Sequence, residues 1–377
     1  MLPGGMSIPE HHSSEAAPGD RGRGLGVAQR DRIGRTADLY LRLFATKAGL
    51  DPETVIGFGG EAQTAIAAVA PALADEIEGI ADGAGLPVEL VAALNARTEV
   101  LASGRGECTT VACLGTASEQ GTPLGVQTWD WHDDLAGCWM RWTIDHGDGR
   151  RVETMTEAGI VGKVGVNGAG VAVLLNILGH RDDGPPIGAP VHVLCRHVLD
   201  QSRDGVEAMA ILSNATMSAS SAVTVIADDA DGGIVCCVEL SPAGPGFVTP
   251  DQDGLIAHAN HFLADPGRQA DTMVREAPDS VLRLDHAARR LRAAAASGPL
   301  TEDALHDVLH SHRGGASGIC CHPHPDAAFG DRWQTLATVA VDPAHRSMRL
   351  LSGGPCQSQS TEAAARQSLS RQGSAAS

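Results

Sequence analysis

Gly104-Arg105-Gly106-Glu107-Cys108-Thr109-Thr110-Val111-Ala112-Cys113 decides how this chain is read, because the sequence changes character at Cys108. Upstream it is helical. Residues 36–47 place Leu39, Leu43 and Phe44 at helical spacing. Asp51-Pro52-Glu53 is an N-cap followed by Pro in the first turn, and it opens an Ala-rich helix towards Ala81 with a break at Pro71. A turn at residues 83–87 precedes a third helical stretch, 87–101. Downstream, residues 109–115, 123–128, 138–144, 152–156, 159–166 and 171–178 read as strands, with Asn167-Gly168 a hairpin signal. Helices at 191–200 and 205–213, strands at 222–227 and 234–240, helices at 277–296 and 301–310, and strands at 336–341 and 348–351 complete the pattern. Antiparallel strands with helices grouped before, between and after them predict an α+β fold of two sheets sandwiched by helices.

Composition narrows the function. The chain has 377 residues, 38.9 kDa, a formal charge of −18 and a pI near 5.2. The excess of acid argues against a nucleic-acid partner, which needs basic stripes. No stretch approaches the apolar run of a membrane helix. Only Lys47 and Lys163 among the 28 basic residues are lysines. Nine scattered cysteines and an N-terminus without an apolar signal core predict a cytoplasmic protein with free thiols. Residues 1–26 and 357–377, rich in small and polar residues, are expected to be a disordered arm and tail. They flank a helical part, 27–107, and a sheet-rich part, 108–356.

Four groups of residues carry candidate chemistry. Cys108 opens a strand after a glycine loop, where it is either an exposed nucleophile or a packed core residue. Trp129-Asp130-Trp131 belongs to a set of four tryptophans with Trp139 and Trp142, which reads either as an aromatic pocket holding a carboxylate or as a local core. His258-Ala259-Asn260-His261 is either a two-histidine metal face on a helix or, after the strand-like residues 254–257, a turn presenting the Asn260 amide. His310, His312, Cys320, Cys321, His322 and His324 supply zinc-type ligands without a recognised spacing, so no metal is expected.

The ordered set Leu94-Asn95-Ala96-Arg97-Thr98-Glu99, Glu107-Cys108-Thr109-Thr110, Gly125-Val126-Gln127-Thr128-Trp129-Asp130-Trp131, Gly162-Lys163-Val164-Gly165-Val166-Asn167 and His258-Ala259-Asn260-His261-Phe262 resembles the acyl-coenzyme A:6-aminopenicillanic acid acyltransferase family. That family is the isopenicillin N acyltransferase-like branch of the N-terminal nucleophile hydrolases. The resemblance spans about residues 30–355. It implies a four-layer αββα sandwich made as a precursor that cuts itself at Glu107–Cys108, the two resulting chains staying associated. Cys108 is then the nucleophile, and its freed α-amine the base. The reference pKa of such an amine is about 7.7–8.0 and that of a thiol about 8.5, so proton transfer between them is expected to cost little. Asn260 matches the oxyanion-hole asparagine, Asp130 the aspartate that orients the α-amine or binds a substrate amine, and Thr110 supports cleavage. Trp129 and Trp131 flank the substrate.

Where the family carries an arginine that grips a substrate carboxylate, Gly318-Ile319-Cys320-Cys321-His322 places Cys321, so a carboxylate-bearing β-lactam nucleus is not the expected substrate. The implied activity is hydrolysis or transfer of a small N-acyl compound without a cofactor, acyl-CoA being the co-substrate if transfer occurs. A zinc-dependent amidohydrolase built on the C-terminal Cys/His cluster and a non-catalytic small-molecule binder are the competing readings.

Overall fold

Strands whose two faces are both covered lose the alternation of a half-exposed sheet, and the central strands here are buried along their whole length. The computed structural model describes residues 8–101, 108–315 and 318–357. Helices α1 (Pro18–Ala28), α2 (Arg30–Leu43), α3 (Pro52–Val69), α4 (Pro71–Ala84), α5 (Val88–Asn95) and α6 (Arg97–Leu101) form the first part, preceded by strand β1 (Glu10–Ser13). Strands β2 (Thr109–Cys113), β3 (Leu124–His132), β4 (Trp139–Asp145), β5 (Arg151–Glu157), β6 (Val164–Asn167) and β7 (Val171–Ile177) follow. Helices α7 (Val191–Gln201) and α8 (Gly205–Ser213) lead to β8 (Ser221–Ala227), β9 (Ile234–Leu240), β10 (Gly246–Val248) and β11 (Leu255–His258). Helices α9 (Met273–Glu276), α10 (Asp279–Ser297) and α11 (Glu302–Leu309) precede the last strands, β12 (Trp333–Asp342) and β13 (Ser347–Ser352).

The strands form two sheets. The larger runs β1-β4-β5-β6-β7-β8-β9-β10 and is antiparallel except for the β1–β4 pair; the smaller runs β11-β2-β3-β12-β13 and is antiparallel throughout. α7 and α8 pack on the larger sheet, α10 and α11 on the smaller, and the two sheets meet through β2 with β7 and β12 with β6. The layer order is therefore αββα. Alternation along β2 divides its side chains. Val111 and Cys113 join the core under α10 and α11, while Cys108 and Ala112 join the core between the sheets. Among the described residues no helix is long and apolar enough to cross a membrane.

The expected disordered arm is corrected over residues 10–26. β1 is the polar edge strand of the larger sheet, held by backbone pairing with β4. α1 docks on α4 backbone to backbone: a Cβ on Gly22 would lie 2.0 Å from Glu76 O, and one on Gly79 2.1 Å from Gly19 O. A helix that packs through its missing side chains has no apolar stripe for a periodicity reading to find. The tail from 358 onward lies outside the described residues.

Candidate active site

Cys108 sits immediately before β2, where Thr109 pairs with Thr128 of β3, and it is buried between the sheets. Its carbonyl oxygen accepts from two buried side chains, Asn176 Nδ2 at 3.0 Å and Arg283 Nη1 at 3.1 Å. Asn176 is the next-to-last residue of β7, in the opposite sheet. Its Oδ1 accepts from Thr110 Oγ1 at 2.7 Å, and Gln127 Nε2 donates to that hydroxyl at 2.6 Å. Thr110 thus faces the side of β2 that carries Cys108, and its hydroxyl helps fix the amide that holds the cysteine. Arg283, on α10, also donates to Thr109 Oγ1 (3.1 Å) and to Asn260 Oδ1 (3.0 Å), with Asp279 one turn earlier as its carboxylate partner at 3.2 Å. Asn260 follows β11, and its Nδ2 donates to Ile177 O at 2.8 Å, which occupies one of its two amide hydrogens. One arginine therefore links the candidate nucleophile to the candidate oxyanion donor.

The charges around the sulfur are mixed. Burial pushes the Cys108 thiol up to about 11, and the Asp130 carboxylate pushes the same way; a backbone hydrogen bond from Asp130 and the charges of Lys163 and Arg283 pull it back. Burial pulls the Lys163 ammonium down to about 8, helped by Arg97 and opposed by Glu157 and Cys108. Glu157 accepts from Lys163 Nζ at 3.0 Å and pairs with Arg97 at 3.0 Å, a cation-rich pairing that outweighs burial and holds the carboxyl at about 2. Trp129 lies over Lys163 (4.4 Å) and Trp131 under Arg97 (4.2 Å), with Trp131 Nε1 donating to Tyr40 Oη at 2.8 Å.

A cavity of ≈260 Å³ is lined by Thr98, Ile177, Leu178, His180 and Met273 among others, and Ile177 supplies the carbonyl that accepts from Asn260. Asp130 is buried in β3 opposite Thr335 of β12. Thr335 exchanges hydrogen bonds with Cys321, Cys321 N to Oγ1 at 2.8 Å and Thr335 N to Cys321 O at 3.0 Å. The structure thus gathers Cys108, Thr110, Asn260 and Asp130, with Cys321 on the far side of Asp130.

A family model described as acyl-coenzyme A:6-aminopenicillanic acid acyl-transferase matches residues 117–357. The acyl-coenzyme A:6-aminopenicillanic-acid-acyltransferase 40 kDa form of Emericella nidulans is 31% identical over 277 residues, 72% of this chain and 74% of that protein. The chain belongs to this family. It is an enzyme of the acyltransferase type. Among solved structures it is similar to a Caenorhabditis elegans N-acylethanolamine-hydrolyzing acid amidase ortholog, at 15% identity and TM-score 0.43 over 65% of this chain and 100% of that one. It is also similar to penicillin V acylase from Agrobacterium tumefaciens, at 14% identity and TM-score 0.39 over 65% and 83%. At these scores the fold rests on the layer order observed in the chain itself.

Not every expected residue of this acyltransferase-family chain falls where the sequence reading puts it. Trp129 and Trp131 do not line the ≈260 Å³ cavity; both are buried, Trp129 against Lys163 and Trp131 against Arg97. His258 and His261 do not converge on a metal: His258 Nε2 meets Glu239 at 2.7 Å and His261 Nδ1 meets Ser280 Oγ at 2.8 Å. Arg332 donates to Asp133 at 2.8 Å. Glu107, the expected residue before the cut, lies outside the described residues. Sequence reasoning passed over Asn176, Lys163 and Arg283. Lys163 carried a signal, being one of two lysines and set in a glycine-rich strand pair. Arg283 is one of four arginines on α10, and nothing local separates it from the other three.

Proposed function

We propose that this chain is an autoproteolytic cysteine acyltransferase/amide hydrolase that cuts itself at Glu107–Cys108 and then carries acyl groups on Cys108. The observation that carries this reading is the double hold on the Cys108 carbonyl by Asn176 and Arg283, with Arg283 also holding Asn260. A residue clamped from behind by two buried donors is positioned rather than merely packed. In the precursor, Cys108 Sγ attacks the Glu107 carbonyl carbon, the bond to Cys108 N breaks, and water hydrolyses the thioester. The products are a carboxylate on Glu107 and an α-amine on Cys108.

The amine then takes the thiol proton. As an ammonium beside the sulfur it lowers the thiol pKa, opposing the upward push of burial. The thiolate attacks a small N-acyl amide, and Asn260 donates to the negative oxygen. The leaving amine departs with the proton, and water or a second amine takes the acyl group. The Ile177 cavity is the space for the acyl side of the substrate. With Cys321 where the family has arginine, neutral amides suit the site better than a carboxylate-bearing nucleus.

Quenching the enzyme with N-acyl amino acids, penicillins or N-acyl amides and mapping its peptides tests this. The expected result is an acyl mass added to the Cys108 peptide, absent in Cys108→Ala and formed about 10²–10³-fold more slowly in Asn260→Ala. Turnover by Cys108→Ala, or ligand binding with no adduct on any substrate, would contradict the proposal; the second result would favour a non-catalytic binder.

A further inference from the structure

The mechanism makes no use of a cluster at the β13 end of the smaller sheet. The loop after α11 and the turn after β13 bring together His312, Cys320, His322 and Cys356, whose ligand atoms all lie within 4.8 Å of one another. We propose that these four residues bind one Zn²⁺ as a structural clip. Four of the six edges of the cluster are Cys320 Sγ–Cys356 Sγ 3.4 Å, His312 Nε2–His322 Nε2 3.1 Å, Cys320 Sγ–His322 Nε2 3.8 Å and Cys356 Sγ–His322 Nε2 3.5 Å, and the two from His312 to the sulfurs are within 4.8 Å. Tetrahedral zinc, with about 2.3 Å to sulfur and about 2.0–2.1 Å to nitrogen, sets neighbouring donors roughly 3.3–3.8 Å apart. The set is two cysteines and two histidines, a composition that closes structural sites.

The surroundings are shaped for the ligands. A Cβ on Gly354 would lie 2.5 Å from Cys320 Sγ, so the chain just before Cys356 runs hard against the buried thiol. Cys320 N donates to Ser311 O at 3.0 Å, which fixes the loop next to His312. Four protein ligands leave no position for a water or substrate, so the ion holds structure and does not hydrolyse amides. This sets the clip apart from the zinc amidohydrolase considered on sequence. What it holds is the end of β13 against the loop carrying Cys321, whose backbone bonds to Thr335 opposite Asp130. The spacing hides the site from a motif reading, because three ligands come from one loop and the fourth follows two intervening strands.

Metal analysis of the full-length protein, purified without chelator, tests the clip. One zinc per chain is expected, with at least a tenfold loss in Cys356→Ser and in His312→Ala and none in Cys113→Ser. Exchange with Co²⁺ should give the visible bands of a tetrahedral thiolate site. A chelator should lower the Tm of the wild type and leave that of His312→Ala unchanged. If Cys356→Ser does not fold, His312→Ala, altered at an exposed side chain, gives the same readouts. Wild-type protein that takes up no Zn²⁺ or Co²⁺ when supplied, a Cys320–Cys356 disulfide in its place, or undiminished zinc in His312→Ala would overturn the proposal.

Discussion

Cys108 is held by its own main chain. Asn176 and Arg283 both donate to its carbonyl oxygen, one reaching from the opposite sheet and the other from α10. The Arg283 bond is charge-assisted, a type worth about 1.5–3 kcal/mol. Arg283→Met therefore should slow precursor conversion and substrate turnover roughly 10–100-fold, with partial recovery in Arg283→Lys, which restores a donor but not the planar fork. Time courses of processing, read beside the Tm of each variant, separate this positioning effect from loss of fold. Wild-type processing in a folded Arg283→Met protein would count against it. The place of Cys108 at the mouth of β2 and of Thr110 on the same face was legible in sequence, because a strand opening after a glycine loop, and a two-residue period, are local facts. Asn176 and Arg283 were not, since only the packing of β7 and α10 on β2 brings them to Cys108.

Elements were legible where chain chemistry marks their ends. Asp51 caps α3 by accepting from Thr54 N at 2.8 Å, and Pro52 and Pro71 stand in the first turns of α3 and α4. α1 and β1 were missed because one packs through glycine and the other pairs only through its backbone. The join between α6 and α7 shows a long-range cap that no local pattern announces. Glu99 Oε1 accepts from Val191 N, the first residue of α7, at 2.9 Å. Burial raises the Glu99 carboxyl to about 7, against the opposing pull of the Val191 N–H and Arg97. A carboxyl whose folded pKa is raised binds more protons folded than unfolded. Its contribution to stability is fully present below about 4.5 and is lost as the pH rises through about 7. Glu99→Gln keeps the acceptor and removes the titration. Urea melts should show the variant gaining on the wild type between pH 5 and 8, by up to about 3 kcal/mol. A difference that does not change with pH would contradict this assignment.

Across the molecule, the helical part and the sheets are joined by buried charge. Arg97 of α6 pairs with Glu157 of β5, and Glu76 of α4 bridges Arg21 of α1 (2.6 Å) and Arg196 of α7 (2.9 Å). Removing one partner of such a pair leaves an uncompensated buried ion, at about 3–5 kcal/mol, and one apolar core runs from the helices into both sheets, so the two parts resist separation whether or not a peptide bond joins them. The fold was legible at this scale from the order of helices and strands alone; the charged seam was not, because its members lie far apart in sequence. A seam of this kind lets one chain become two without coming apart, which the proposed activation requires. The decisive measurement is the mass of the purified protein under denaturing conditions, set beside its elution under native ones. Two chains of 107 and 270 residues (377 − 107 = 270), the longer beginning at Cys108, should elute together natively, and Cys108→Ala should remain one chain of 377. An active protein whose only polypeptide is the unbroken 377-residue chain would contradict the account.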